Sequence, residues 1–395
     1  MNAFVADFAV AKPVTAPSVH RQLRLETFLR SARFERPTLV LDIDQVEAQY
    51  HALAAGLGDA HIHYAVKANP ADAILARLVQ LGSGFDAASR AEIEMCLSHG
   101  ADPARISFGN TVKKASDIAF AYGAGISLFA ADAEEELEKI AEHAPGVQVY
   151  IRLIVDASEA DWPLSRKFGC ARDKALALLG YARDLGLEPV GFSFHVGSQT
   201  RRAEMWTTTL DQIAGIWHMA RAQGFDLSLL NIGGGFPAFY GEEIEAASPY
   251  AARVMDLIRA RFGAVPRLMA EPGRGLVAAA GMIAAEVLLV SRKSDSDMHR
   301  WVYLDIGKFS GLAETMDEAI RYQFLTDRDG EETGPCILAG PSCDSADVLY
   351  EKRPVSLPLG LKSGDRFIIR NCGAYTSTYA SIGFNGFPPL DVVVI

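Results

Sequence analysis

The sequence lacks a Cys-x-x-Cys pair, a run of five or more basic residues, and an apolar stretch long enough to cross a bilayer. Each absence removes a class of protein. Five cysteines (Cys96, Cys170, Cys336, Cys343 and Cys372) are scattered through 395 residues without zinc-ligand spacing. Neither a disulfide frame nor a metal cage is expected, and a reducing compartment is. With a net charge of −11 and no basic tract to neutralise phosphates, a nucleic-acid partner is not expected either. The same charge is compatible with a cationic ligand. The most apolar stretch, residues 275–290, is broken by Glu286 and falls short of a membrane span. The first residues mix Asp7 and Lys12 among apolar neighbours and form no hydrophobic leader, so the expected location is cytoplasmic. Internal repeats and low-complexity linkers are also missing.

What is present is an ordinary globular composition, 49% hydrophobic and 22% charged, arranged in a long alternation. Short β-like runs at 62–66, 84–87, 105–108, 126–130, 147–153, 189–194, 229–232 and 268–270 alternate with helical stretches. Those stretches include 71–80, 90–99, 133–143, 203–223 and 250–262. Eight strand–helix units predict an α/β fold of (β/α)8, TIM-barrel type; a doubly wound open sheet is the alternative, because periodicity does not prove closure. Nearly every run ends in a polar or reactive position: Lys67, Asp86, Asn110, Asp132, Arg152, His195, Gly233 and Glu271. Barrel active sites are assembled at those ends. After Gly275 the runs 282–290, 301–306, 336–339 and 366–370 are β-rich and helices become scarce. The expected division is a barrel over 37–276, with 1–36 and 277–395 together forming a β-sandwich-like domain.

Five constellations carry chemistry. In His63-Tyr64-Ala65-Val66-Lys67-Ala68-Asn69-Pro70 a lysine ends an apolar run at the mouth of a sheet. Desolvation there can strip its proton and make it a nucleophile toward an aldehyde; the plainer alternative is a snorkelling lysine. Asn231-Ile232-Gly233-Gly234-Gly235-Phe236 puts three side-chain-free N–H groups after a strand, a cradle for an anion or simply a tight turn. It is not a dinucleotide fingerprint. In Glu271-Pro272-Gly273-Arg274-Gly275 the guanidinium suits a phosphate and the carboxylate suits a protonated ring nitrogen, unless the two simply pair with each other. His195-Val196-Gly197-Ser198-Gln199 offers an imidazole to stack on a flat ligand or relay a proton, and a hydroxyl donor; the alternative is a core histidine satisfied by backbone. Gly340-Pro341-Ser342-Cys343-Asp344-Ser345, followed later by Gly373-Ala374-Tyr375, holds a thiol next to a carboxylate. The thiol can act as an acid and the carboxylate can bind a cation.

Taken in order, and with Phe85-Asp86-Ala87-Ala88-Ser89, Ser107-Phe108-Gly109-Asn110 and Arg166-Lys167-Phe168-Gly169, these segments resemble the ornithine decarboxylase family. These are the fold type III, alanine-racemase-like pyridoxal-phosphate decarboxylases, and the match runs from about residue 37 to 387. The resemblance implies pyridoxal 5′-phosphate as cofactor, tied to Lys67 through its aldehyde, with Asp86 beside the amine. Glu271 would bond the ring nitrogen, His195 would stack on the ring, and Glu92 and Arg152 would support it. Ser198, Gly233, Gly234, Gly235, Arg274 and Tyr375 would hold the phosphate. After CO2 leaves, Cys343 would protonate the α-carbon. Asp344, with Tyr322, Gln323 and Phe384, would bind the substrate.

Cys343 and Asp344 would act on the neighbouring subunit of a head-to-tail homodimer, with Lys167 and Asp347 paired across the interface. Diaminopimelate decarboxylases carry Glu after the cysteine, so Asp344 favours a substrate without a second carboxylate. Tyr322-Gln323 stands where the eukaryotic enzymes have Tyr-Asp, which leaves the choice between ornithine and lysine open. The expected reaction is L-ornithine to putrescine and CO2, a step of polyamine biosynthesis. A lysine or dual lysine/ornithine decarboxylase is the nearest alternative, with diaminopimelate or arginine after it. Outside catalysis stands an inactive regulatory homologue, against which the intact Lys67, Glu271, Cys343 and Asp344 argue.

Overall fold

The computed structural model describes residues 19–155 and 167–395. Asp7, Lys12 and Arg166, singled out above, lie outside them. Its strands, in chain order, are β1 (Thr38–Leu41), β2 (His61–Ala65), β3 (Gly84–Ala87), β4 (Ile106–Phe108), β5 (Leu128–Ala131), β6 (Gln148–Arg152), β7 (Glu188–Ser193), β8 (Leu229–Asn231) and β9 (Arg267–Ala270). They continue with β10 (Gly281–Ser291), β11 (Arg300–Leu304), β12 (Gln323–Thr326), β13 (Thr333–Ala339), β14 (Val355–Pro358), β15 (Arg366–Arg370) and β16 (Asp391–Val394).

Strands β2 to β9 are parallel and close on themselves, β2 pairing with both β3 and β9. This is the expected barrel, and closure excludes the open sheet. Alternation along each strand decides which side chains enter the barrel. Phe85, Phe108, Phe129, Ile151, Phe192 and Leu230 join the main core, shared with the surrounding helices. Leu128, Ala130, Tyr150, Val190, Leu229 and Met269 form a separate cluster on the opposite face, the barrel interior. Toward the C-terminal ends the strand register aligns Ala65 with Asp86, Asp86 with Ser107, Arg152 with Ser193, and Ser193 with Asn231. The rim of the interior is therefore polar where the lower layer is apolar.

The remaining strands build one mixed sheet in the order β12-β15-β10-β11-β13-β14, with β1 added beside β10 and β16 beside β1. Strand β10 is long enough to serve two neighbourhoods: its first part pairs with β1 and β15, and from Val287 it pairs with β11, with a register shift between Val287 and Leu289 in that pairing. Strand β1 thus belongs to this sheet, although it follows the boundary expected at residue 36. Its Val40 packs with Leu25 and Leu29 of the helix Val19–Ser31 against Met282 and Ile368. Among the described residues no helix is long and apolar enough to cross a membrane.

The sheet domain docks over the barrel mouth through the segment after β15. Asn371 donates to Phe239 O (2.8 Å), Gly373 O accepts from the Asn69 side chain (2.8 Å), and Tyr375 N–H donates to Ala68 O (2.8 Å). Closure itself depends on a bare backbone at Gly191, where a Cβ would stand 1.7 Å from Leu229 O on the next strand. Gly191→Ala should therefore destabilise the fold by about 1–3 kcal/mol through overpacking. Chemical denaturation of both proteins checks this; an unaltered midpoint would show that β7 and β8 have slack there.

Candidate active site

Lys67 does not sit on β2. It sits on the 3-10 turn Val66–Ala68 that follows, because Asn69 precedes a proline and is driven extended (φ −167°). The turn is locked on three sides: the Tyr64 hydroxyl donates to Asn69 O (2.8 Å), the Asn69 amide accepts from Ala71 N–H (3.1 Å), and it donates to Gly373 O. The Lys67 side chain projects into a cavity of about 390 Å³ at the C-terminal mouth of the barrel, a size usual for small-molecule sites. Its Nζ lies 2.9 Å from Asp86 Oδ2. Asp86 is 4% exposed, and among the described residues its other oxygen has no hydrogen-bond partner. Burial works against the charge on Lys67, but Asp86, then Tyr375 and Glu271, outweigh it and raise the amine's pKa. The expectation that desolvation strips the proton is corrected here: the paired carboxylate keeps the amine charged.

Glu271 follows β9 and is held by its neighbours. Asn231 donates to its Oε1, and its N–H donates to Gly233 O (2.8 Å). Burial, then the nearby Asp86, pushes its carboxyl up to about 7. Burial, then Arg152 and Lys67, pushes His195 down to about 3, so this imidazole is neutral. Its Nδ1 accepts from Gly234 N–H (3.1 Å), which puts the ring proton on Nε2. At the far end of the cavity Arg274 donates from Nε to Ser198 Oγ (3.1 Å) and from Nη1 to the Tyr240 hydroxyl (3.1 Å). It also makes a bidentate pair with Glu314, and its guanidinium lies 4.9 Å from the Tyr375 ring centre. Arg152 stands over the Phe168 ring at 5.0 Å on a third side.

An amine beside a carboxylate, a buried glutamate that favours its protonated form, a neutral flat imidazole and an arginine–hydroxyl end fit a small aromatic aldehyde bearing a phosphate. Residues 43–278 match the family model described as pyridoxal-dependent decarboxylase, pyridoxal binding domain. The chain belongs to the ornithine decarboxylase family of pyridoxal-dependent decarboxylases. It is 33% identical over 358 residues to the lysine/ornithine decarboxylase of Selenomonas ruminantium, covering 90% of this chain and 88% of that one. Among solved structures it resembles the lysine/ornithine decarboxylase of Vibrio vulnificus complexed with cadaverine, with a TM-score of 0.83, 30% identity, and 96% and 99% of the two chains covered. It equally resembles the arginine decarboxylase of Paramecium bursaria Chlorella virus bound to agmatine, with a TM-score of 0.84, 29% identity, and 94% and 100% covered. The cofactor of this decarboxylase is pyridoxal phosphate.

The cavity brings together Lys67, Asp86, Arg152, His195, Ser198, Gly234, Gly235, Glu271, Arg274 and Tyr375, with Asn110 at its edge. Other expected residues stand elsewhere. Gly233 and Gly234 turn their N–H groups to Asn231 Oδ1 and His195 Nδ1, so two of the three glycine donors orient neighbours instead of cradling an anion. Glu92 is behind the wall: it accepts from Ala88 N–H (2.6 Å) and begins the helix Arg90–Ser98. Asp132 binds Gly169 N–H (2.7 Å). Glu271 and Arg274 are not each other's partners; Glu314 takes the arginine.

Tyr322 is buried edge-on against Tyr240 (5.6 Å between ring centres), its hydroxyl without a partner among the described residues, and neither it nor Gln323 lines the cavity. Cys343 is exposed and bonds Asn385 through its N–H (3.1 Å); Asp344 accepts from Ala346 N–H (2.8 Å); Phe384 packs on Phe309. All three lie outside the cavity of their own chain. Asp347 is not the surface carboxylate expected to meet Lys167 across an interface. It is buried and holds Lys308 N–H (2.8 Å) and both donors of Ser342. Glu314, Tyr240, Asn231, Tyr150 and Tyr379 escaped the sequence reading. Only Asn231 carried a signal, standing at the head of the glycine run.

The raised carboxyl of Glu271 has a measurable consequence. Between the ordinary glutamate range and about pH 7 the native protein keeps a proton that the unfolded chain has released. Stability contributed by this group therefore falls as pH rises through that window. In protein stripped of cofactor, the stability of the parent minus that of Glu271→Gln should decline from pH 4.5 to pH 7 and then level off. Denaturant titrations at several pH values test this; a flat difference would contradict it.

Proposed function

We propose that this enzyme decarboxylates a basic L-amino acid, with L-ornithine as first candidate and putrescine as product, and lysine as the nearest alternative. The observation that carries the reading is one cavity with Lys67, Asp86, His195 and Glu271 at its base and Arg274 with Ser198 at its far end. Pyridoxal phosphate, when bound there, supplies the sink for the electron pair left as CO2 departs.

In this reading Lys67 would be the amine that holds the cofactor through its aldehyde. Asp86 fixes the position of Nζ and balances its charge. Glu271, buried and supported by Asn231, would hold the ring nitrogen of the cofactor through a shared proton. His195 offers a neutral face to the ring and so adds no competing positive charge. Ser198, Gly235, Arg274 and Tyr375 serve the phosphate end, and Arg152 closes the side wall with Phe168. Cys343 would supply a proton to the carbon that lost CO2, and Asp344 would grip the distal ammonium. Because both lie outside their own cavity, they act in the cavity of a second copy, and the working unit is a homodimer with shared sites. Asp344 supplies one carboxylate and no cation, which suits a distal amine and disfavours a second carboxylate. The names of the relatives, which include lysine, ornithine and arginine decarboxylases, agree with a basic substrate.

Amine release from ornithine, lysine, arginine and diaminopimelate with added pyridoxal phosphate decides the substrate. Putrescine should form fastest; faster cadaverine release would make lysine the substrate. Lys67→Ala should show neither amine product nor the visible absorbance of bound cofactor, and a persisting band would remove Lys67 from its role. Mixed Lys67→Ala and Cys343→Ala proteins, each inactive alone, should regain part of the parent activity. No recovery after demonstrated subunit exchange would rule out shared sites.

A further inference from the structure

We propose that Glu314 is a positioning residue for the phosphate end: it aims Arg274 and limits which of its donors face the cofactor. The inference rests on the assignment of Arg274 to the phosphate. A guanidinium has five N–H donors in a rigid plane. Here Nε reaches Ser198 Oγ, Nη1 serves both Tyr240 and Glu314 Oε2, and Nη2 serves Glu314 Oε1. Among the described residues four donors are engaged, and one Nη2–H is left over.

The pairing is two-pronged and both side chains are 4% exposed, so the plane of the guanidinium cannot swing without breaking two charge-assisted bonds. Tyr375 beneath and Tyr240 beside it fix the remaining direction. Glu314 also lines the cavity itself. A carboxylate there would repel a phosphate unless its charge were spent on an arginine, which is how it is arranged.

Stability alone is a weak reason for such a pair, since buried ion pairs are often replaceable by apolar residues. A role in aiming a donor is a sufficient one. Glu314 is carried by the segment Ala313–Glu318 of the sheet domain, whereas Arg274 belongs to the barrel. The phosphate end is therefore set jointly by the two parts of the chain.

The test separates the phosphate from the rest of the cofactor. Enzyme stripped of cofactor is titrated with pyridoxal phosphate and with pyridoxal, followed by visible absorbance; the ratio of the two affinities reports the phosphate contribution. Glu314→Gln should lower that ratio roughly tenfold or more, with pyridoxal affinity unchanged. Glu314→Asp, which keeps the charge but is one methylene too short for the two-pronged reach, should lower it less, and carries the test if the Gln variant does not fold. Glu314→Gln added to Arg274→Ala should lower the ratio no further than Arg274→Ala alone, because Glu314 acts only through Arg274. A ratio unchanged or raised in both Glu314 variants, an equal fall for the two ligands, or additive losses would overturn the inference. If Arg274→Ala itself leaves the ratio unchanged, the phosphate-end assignment fails instead.

Discussion

Asp86 is almost fully buried; among the described residues one of its oxygens finds no donor, and the other lies 2.9 Å from the Lys67 ammonium. That pair sets the electrostatics of the cavity. Gly109 has to be bare because a Cβ there would lie 1.8 Å from Asp86 Oδ1. Buried beside Asp86, Glu271 is pushed toward its neutral form; buried beside Arg152 and Lys67, His195 is kept from protonating. Burial contributes first in both cases, and like charge adds to it. Lys67, His195 and Glu271 are thus shifted differently within one small volume, as acid–base work requires. Half of the Lys67 side chain remains exposed inside the cavity, so the contact is accessible as well as strong.

Most of the barrel was legible because its signals are local. A parallel strand buried on both faces needs a short apolar run, and a barrel's reactive groups must follow the ends of such runs. That logic found Lys67, Asp86, His195 and Glu271 and the strand 84–87 to the residue. It misplaced Asp132, whose position at a strand end is the same but whose carboxylate is consumed by Gly169 N–H. Periodicity sees where a side chain starts and not which partner claims it. The Lys67 turn was similarly half-read: Asn-Pro announces a break, whereas the three hydrogen bonds that lock it come from Tyr64, Ala71 and Gly373.

What the sequence could not reveal lies where the sheet domain meets the barrel. Glu314 occurs in no recognisable motif, and its importance comes from reaching Arg274 forty residues away. Removing one partner from a buried ion pair of this kind costs about 3–5 kcal/mol, against a near-neutral exchange of the whole pair for apolar residues. The contact therefore makes each part of the chain intolerant of losing the other. The same holds for residues 371–375, whose backbone closes the mouth beside Lys67. Tyr375 adopts a left-handed conformation (φ 55°) there, a strain that non-glycine residues accept only where the surroundings impose it. The cavity is a joint product, and neither the barrel nor the sheet would present it alone.

The positions of Tyr322 and Gln323 bear on selectivity. With Tyr322 buried behind Arg274 and Gln323 outside the cavity, the task of recognising a distal ammonium falls on Asp344 in the proposed reading. A single carboxylate discriminates strongly between a cation and a neutral or anionic group, because a buried unpaired charge is costly. It discriminates weakly between two cations that differ by one methylene, a difference worth only about 1–3 kcal/mol even in a well-fitted pocket. Asp344 sits on an exposed loop, tied through Ala346 N–H and not clamped in a close-packed slot. Such a carboxylate can follow an ammonium over the length of a C–C bond. In the proposed reading a preference for ornithine over lysine would accordingly be one of degree, while the exclusion of acidic substrates would be set by charge.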